Sequence, residues 1–392
     1  MDRPIVVWLT NIPTPYRHHQ FTALNTALDE LGVDFRVLFM GPEETHRPWR
    51  YRREEATYPH EVLTGPLIYI RGRPIHFNPG VVRRVRSLRG TPSILMVGGV
   101  SNPTGWLAAL SRSRKWTTCV LGVESNIRSE VLRRGPAAWL KHHLIGSADA
   151  FYIPGAASKG YVIRHDSKAG TKPWITLPNI IDEARFPLRT DEASAARRSE
   201  RRAALAVGPD VRVILVPARL EPFKGVLDVA EALASISPTL PIHVVFVGSG
   251  SLEEELRRRI AGRPATLLGT VPDDEMPHWY AAADVMMLAS HRDASPLATV
   301  EALRSGLPLV LTDAVGNADE VLIEGENGWV VPVSDVPALT RVLETIAATP
   351  IETLTAMGER SAEIHAERFD TTIAVARAAL EFSRLLRDGT LK

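Results

Sequence analysis

The sequence predicts an α/β protein of two doubly wound, Rossmann-like domains in tandem. Three observations carry that expectation. Short apolar runs of strand character alternate with helical periods. The alternation stops over a polar stretch at 183–210 and restarts at residue 212. Gly-, Pro- or Ser-marked loops follow the strands, where parallel sheets carry their ligand contacts. At 392 residues the chain is long enough for two cores.

Residues 4–10 (PIVVWLT) read as a buried strand and 11–15 as a loop, with Thr14-Pro15 as the cap and first position of a helix to about Glu30. A strand at 34–40 completes a parallel α/β unit, and Arg17 in the first helical turn is a candidate phosphate or acceptor contact. The proline-punctuated stretch 43–90 has no clear period, apart from a basic helix at 78–88. A strand at 93–97 leads through Gly98-Gly99 and a loop at 100–103 to a helix at 106–110. Glu124 and Ser125 follow the carboxyl end of a strand at 117–122, a ligand-facing position in an open sheet. The segment 128–144 joins Arg133, Arg134, Lys141, His142 and His143 to Val131, Leu132, Trp139, Leu140 and Leu144. It is a candidate interfacial membrane helix, although Gly135-Pro136 interrupts it. Strands at 149–154 and 175–182 close the first half.

The Ala- and Arg-rich stretch 183–210 reads as a surface linker with one exposed helix. Strands then fall at 212–217, 242–247 and 266–268, with helices at 227–235 and 252–260 between them. RLEPFKG (219–225) sets Arg219 and Lys224 in a loop after a strand, where a guanidinium and an ammonium can close on a diphosphate. Gly248-Ser249-Gly250 resembles a dinucleotide fingerprint without its third glycine, so its glycines serve close approach to a nucleotide or a tight turn. Thr270 and Val271 are placed to lie against a base.

DASPLATVE (293–301) is the richest stretch. Ser295 as cap and Pro296 at the first position predict a helix over 296–305, closed by Gly306 and Pro308 and buried on all sides. Glu301 is its one acid, and a carboxylate among apolar neighbours needs hydrogen-bond donors. Asp293 and Glu301 thus bracket a helix N-terminus that itself favours phosphate. This suits a nucleotide sugar; an ion-paired Glu on a core helix is the alternative.

Apolar residues make up 45% of the chain and charged ones 23%, an ordinary globular balance. The single Cys119 excludes an internal disulfide and a cysteine metal site, and fits a reducing cytoplasm. Met1-Asp2-Arg3-Pro4 runs straight into a strand, and no apolar run reaches membrane-spanning length. A cytoplasmic protein is expected. The net charge of +1 hides a split, +10 over residues 1–182 and −9 over the rest. Two readings stay open: a basic first half that meets an anionic acceptor or the inner membrane face, or halves that complement each other. Asp-x-Asp is absent and the twelve histidines lack a metal-ligand spacing, so no metal or cofactor is expected.

Taken together, these strings resemble the retaining glycosyltransferases of family 4. The resemblance rests on IPTPYR (12–17), LPNIIDEARF (177–186), RLEPFKG (219–225), VGSG (247–250), ADVMMLAS (283–290), DASPLATVEALRSGLPLV (293–310), VGNADEV (315–321) and ENGWVV (326–331), in the family's order. It implies a GT-B fold with two Rossmann-like domains facing a central cleft, the first (1–182) for acceptor and the second (211–370) for donor. It also implies a last helix at about 371–386 returning to the first domain. Arg219 and Lys224 would bind the diphosphate, Glu301 the ribose hydroxyls and Asp293 the sugar hydroxyls, with Ser295 and the amides of Leu297 and Ala298 at the phosphates. Gly248, Gly250, Thr270 and Val271 complete the expected donor contacts; Thr14, Tyr16, Arg17, Gly99 and Asn102 are those for the acceptor.

Three departures stand out: Asp293 where the family usually has Glu, Val315-Gly316 for a glycine pair, and Glu124 for an N-domain histidine. The family is thought to replace the leaving diphosphate on the face it departs from, with that phosphate taking the acceptor's proton. Asp293, Arg219 and Lys224 would then stabilise charge, and Glu124 as base or nucleophile stays open. The resemblance leaves two alternatives to a metal-independent sugar transferase: another GT-B enzyme such as an epimerase, or a silent sugar-nucleotide binder.

Overall fold

The structure, a computed structural model, describes residues 3–45, 54, 56–70, 73–98, 102–127, 130, 135–189 and 191–389. The chain divides into two compact units, Met1–Ile180 with Thr371–Lys392, and Ile181–Asp370.

In the first unit β1 (Ile5–Thr10), β2 (Asp34–Phe39), β3 (His60–Val62), β6 (Ser93–Gly98), β7 (Thr117–Gly122), β8 (Ala150–Ile153) and β9 (Trp174–Thr176) form one sheet. Its order is β3-β2-β1-β6-β7-β8-β9, every pairing parallel. Both faces of β1 are buried, Trp8 toward one core layer and Leu9 toward the other, which is why its sequence is a continuous apolar run rather than an alternation. The chain order reverses between β1 and β6, so the loops after Thr10 and Gly98 open at a switch point. The Pro15–Glu30 helix starts there. The Thr371–Gly389 helix lays Val375, Ala378, Ala379 and Phe382 into the same core as Trp8 and Phe21.

The stretch 43–90 holds structure that its sequence conceals. β4 (Leu67–Ile70) and β5 (Arg73–His76) make a separate antiparallel hairpin, and the basic helix is only Val81–Arg86. Asn78, expected inside that helix, is instead fully buried, its amide donating to the Met40 carbonyl at 2.9 Å.

The second unit has β10 (Arg212–Pro217), β11 (Ile242–Val247), β12 (Ala265–Leu267), β13 (Val285–Leu288), β14 (Leu309–Thr312) and β15 (Gly328–Val331). They run parallel in the order β12-β11-β10-β13-β14-β15, with the reversal between β10 and β13.

The supposed linker 183–210 is built into this unit. Its Glu192–Ala204 helix carries Arg198 and Arg202 to Asp284, where Arg189 also arrives, at 2.6 Å, 3.0 Å and 2.8 Å. The amide of Val213 donates to the same carboxylate at 2.7 Å. Burial alone would push this fully buried carboxyl up; Arg198, Arg189 and the Val213 amide together hold it below its ordinary value. A run of arginines that looks solvated is thus the clamp that fixes the start of the unit to β13.

Candidate functional site

Two loops meet at the carboxyl ends of β10 and β13. After Pro217 the chain passes Arg219 and turns through a 3-10 turn, Pro222–Lys224, into Gly225. Gly225 has φ +64°, and a Cβ there would stand 1.9 Å from the Ala289 carbonyl oxygen, so only glycine lets this loop lie against the end of β13. The amides of His291 and Arg292 both donate to the Phe223 carbonyl, at 2.9 Å and 3.3 Å. His291 Nε2 lies 2.6 Å from Asp228 Oδ2, one turn into the Val226–Ser235 helix. The two loops are held as one piece.

Three cations surround the Phe223 ring, the Arg219 guanidinium 5.2 Å from its centroid, that of Arg292 5.4 Å and the Lys224 ammonium 5.8 Å. Lys224 is ion-paired with Asp293, both side chains mostly buried. Asp293 is also tied through its backbone to the Val315-Gly316 turn, its carbonyl accepting from Gly316 N at 3.0 Å.

The helix after Asp293 runs Leu297–Arg304 with Pro296 at its N-cap, so Ser295 stands one place ahead of the cap expected of it. Its first turn presents the amides of Leu297 and Ala298. This helix is not buried on all sides: Thr299, Val300, Ala302 and Leu303 are buried, while Leu297, Ala298, Glu301 and Arg304 are partly exposed. That half-open face carries Glu301. The Tyr280 hydroxyl donates to Glu301 Oε2 at 2.6 Å. Burial still dominates and pushes the Glu301 carboxyl up to about 7. A carboxyl poised near neutrality, with room for further donors, is what a hydroxyl-bearing ligand would complete.

The Gly248-Ser249-Gly250 turn has a reason other than nucleotide approach. A Cβ at Gly248 would meet the Ala218 carbonyl oxygen at 2.1 Å, and one at Gly250 that of Leu220 at 2.5 Å. The glycines let this turn seat the Arg219 loop, with Leu220 N donating to Ser249 O at 2.9 Å. Thr270 is exposed and donates to Ser249 Oγ at 2.9 Å, on the rim of the same turn. Val271 packs against the core.

In the first unit a cavity of about 240 Å³ opens at the carboxyl ends of β1, β6 and β7, lined by Thr14, Tyr16, Arg17 and Glu124 among others. Arg17 is buried, ion-paired with Glu124, and donates to Gln20 Oε1 at 2.7 Å. Thr14 occupies the N-cap of the Pro15–Glu30 helix, but its buried hydroxyl neither caps nor finds another partner among the described residues. Asn102 does not line this cavity. Its side chain is consumed by Asn11 Oδ1 at 2.9 Å and the His76 amide at 3.0 Å. Gly99 lies outside the described residues, as do Arg133 and Arg134 of the expected membrane segment. There the helix is Pro136–Ser147, and Lys141 is buried against Glu130 and the Tyr161 hydroxyl rather than exposed as an interfacial cation. No helix of the described residues is long and apolar enough to cross a membrane.

Residues 197–363 match the family model of glycosyl transferases group 1. That stretch of the second unit carries the domain of the group 1 glycosyltransferases. It is 30% identical over 235 residues to the sulfoquinovosyl transferase SQD2 of Arabidopsis thaliana, covering 59% of this chain and 44% of that one. A D-inositol 3-phosphate glycosyltransferase of Streptomyces bingchenggensis is 26% identical over 308 residues, covering 74% and 65%. The chain therefore spans less than two thirds of the length of these relatives.

Among solved structures, Anabaena HepE in complex with UDP and glucose superposes with a TM-score of 0.71 at 19% identity, covering 94% of this chain and 96% of that one. Sucrose-phosphate synthase from Thermosynechococcus elongatus gives 0.71 at 18%, covering 99% of each. The fold is that of the GT-B group 1 glycosyltransferases, two parallel α/β sheets of seven and six strands.

Within this glycosyltransferase frame, sequence reasoning missed Tyr280, His291 and Arg292. Tyr280 sits in an apolar helix, Met276–Ala282, whose pattern gives no sign that its hydroxyl serves a carboxylate 21 positions on. His291 and Arg292 directly precede Asp293, and that adjacency was the available signal.

Proposed function

We propose that the chain is a retaining glycosyltransferase moving a sugar from a nucleoside diphosphate sugar to a hydroxyl of a sugar, lipid-linked or small-molecule acceptor. One observation carries the reading. Arg219 and Lys224 lie against the Phe223 ring, Lys224 pairs with Asp293, and the helix that follows opens with the Leu297 and Ala298 amides and carries the near-neutral Glu301. Cations and amides there suit the diphosphate and Glu301 the ribose hydroxyls. Asp293 takes sugar hydroxyls when the ligand oxygens draw Lys224 toward themselves. Neutralising the leaving diphosphate is the main electrostatic task in such a transfer, since negative charge grows on its bridging oxygen as the anomeric bond breaks. Arg219 and Lys224 perform it without a metal ion. The leaving phosphate oxygen accepts the acceptor's proton, so no strong protein base is needed.

The first-unit cavity takes the acceptor. Arg17 pairs with the Glu124 carboxylate, and the Thr14 hydroxyl, without a partner among the described residues, offers a contact at the helix start. HepE is described with UDP and UDP-glucose, which makes UDP the first nucleotide to test here. Calorimetry with UDP, GDP, ADP and TDP, followed by hydrolysis and transfer assays with the matching sugar nucleotide, tests the reading. Binding that is abolished by Lys224→Ala and Glu301→Ala, with turnover, is the expected result. Binding without turnover on any acceptor marks a silent binder, and unaltered affinity in both variants removes the site.

A further inference from the structure

This inference rests on the donor-site reading above and concerns Arg292. Of the three cations around Phe223, only Lys224 has an anionic partner among the described residues, Asp293. Arg219 and Arg292 make no ion pair with any described residue. Each guanidinium lies within 5.4 Å of the same ring centroid, so the two are separated by no more than roughly one Debye length, ~10 Å. Two like charges gathered this closely repel each other, and a ring face returns only about 0.5–1 kcal/mol per cation at an exposed site. The loop backbone that carries them is nonetheless held in place. The backbone at Arg292 is anchored by its amide bond to the Phe223 carbonyl and by the His291–Asp228 contact beside it, and that at Arg219 by the Leu220 amide bonded to Ser249.

We infer that Arg292 is a diphosphate-binding residue that works as a pair with Arg219. Among the described residues the site thus has two guanidinium groups that form no ion pair with a carboxylate, while the charge of Lys224 is offset by Asp293. A nucleoside diphosphate sugar carries two negative charges on its diphosphate, which matches that surplus. A guanidinium on each flank grips oxygens through paired N–H donors, which a lysine in either place does not reproduce.

Binding of UDP, of the best of the other nucleoside diphosphates and of inorganic pyrophosphate is measured on wild type, Arg219→Ala, Lys224→Ala, Arg292→Ala and Arg292→Lys. Matching melting curves establish that each variant folds. Arg292→Ala should weaken all three ligands at least tenfold, by a factor close to that of Arg219→Ala, and flatten the dependence of affinity on salt. Arg292→Lys should recover only part of the loss. If Arg219→Ala and Lys224→Ala weaken binding while Arg292→Ala does not, the role of Arg292 is overturned and the donor site stands. If none of the variants weakens binding, the donor site falls and this inference with it.

Discussion

Replacing Glu301 by Gln removes a charge while leaving an oxygen for the Tyr280 hydroxyl. In the unaltered protein burial pushes the Glu301 carboxyl from 4.5 to about 7; the Tyr280 hydrogen bond opposes the rise, Asp273 adds to it and Arg185 opposes it. The native state therefore holds the Glu301 proton more tightly than the unfolded chain does. Between those two values, stability falls as pH rises. At about 1.36 kcal/mol per pH unit, the ionised side chain lowers stability by about 3 kcal/mol above neutrality, roughly 2 of it between about pH 5.5 and about pH 8. Urea unfolding of both proteins at those two pH values reads the effect. The stability of Glu301→Gln relative to wild type should rise by about 2 kcal/mol from the lower pH to the higher. An unchanged difference, or one moving the other way, refutes the burial argument. The same variant should bind a nucleoside diphosphate about tenfold more weakly, since an amide offers one acceptor oxygen where a carboxylate offers two. Gaining stability while losing affinity is the pattern of a group retained for binding.

The remaining predictions test the frame around that residue. Asp284→Ala strands three arginines and should destabilise the second unit by about 3–5 kcal/mol in urea melts. Because the Asp284 carboxyl lies below its ordinary 3.8, its contribution is present above that value and lost as pH falls through the native one, so the wild type should lose stability in acid where Asp284→Asn does not. Gly225→Ala forces a side chain onto the Ala289 carbonyl and should cost both stability, about 2 kcal/mol or more, and UDP affinity. Gly208→Ala, where a Cβ meets nothing within 4 Å, is its control in the same melts and titrations. Arg17→Ala frees Glu124 in the first-unit cavity and should raise the KM for acceptor while leaving the Kd for UDP unchanged. A loss of UDP affinity would remove the acceptor assignment.

The parts that sequence made legible are those fixed by local rules. Buried parallel strands read as apolar runs, and Pro15 and Pro296 mark helix starts to within a residue. Arg219, Lys224 and Asp293 stand in the loops after β10 and β13, where α/β sheets collect ligands, and the structure joins them through the Phe223 ring and the Lys224–Asp293 ion pair, while Glu301 lies on the helix that follows. What escaped depends on partners far along the chain. Arg198 and Arg202 look like a solvated run until Asp284, more than 80 positions on, is beside them. Gly248 and Gly250 read from sequence as serving a nucleotide or a tight turn, and sequence does not show that the Ala218 and Leu220 carbonyls press on them. Asn102 looked free for a ligand because its partners, Asn11 and His76, come from other loops. Helix burial was overestimated at 297–304 because apolar Leu297 and Ala298 sit on its open face, where composition alone cannot distinguish a lining from a core.

The most direct test of the central claim is a crystal structure with UDP, or whichever nucleoside diphosphate calorimetry selects. The diphosphate should lie against Arg219, Lys224 and the amides of Leu297 and Ala298, with the ribose hydroxyls donating to Glu301. A nucleotide found elsewhere on the chain, or one whose ribose leaves Glu301 bonded only to Tyr280, would contradict the account.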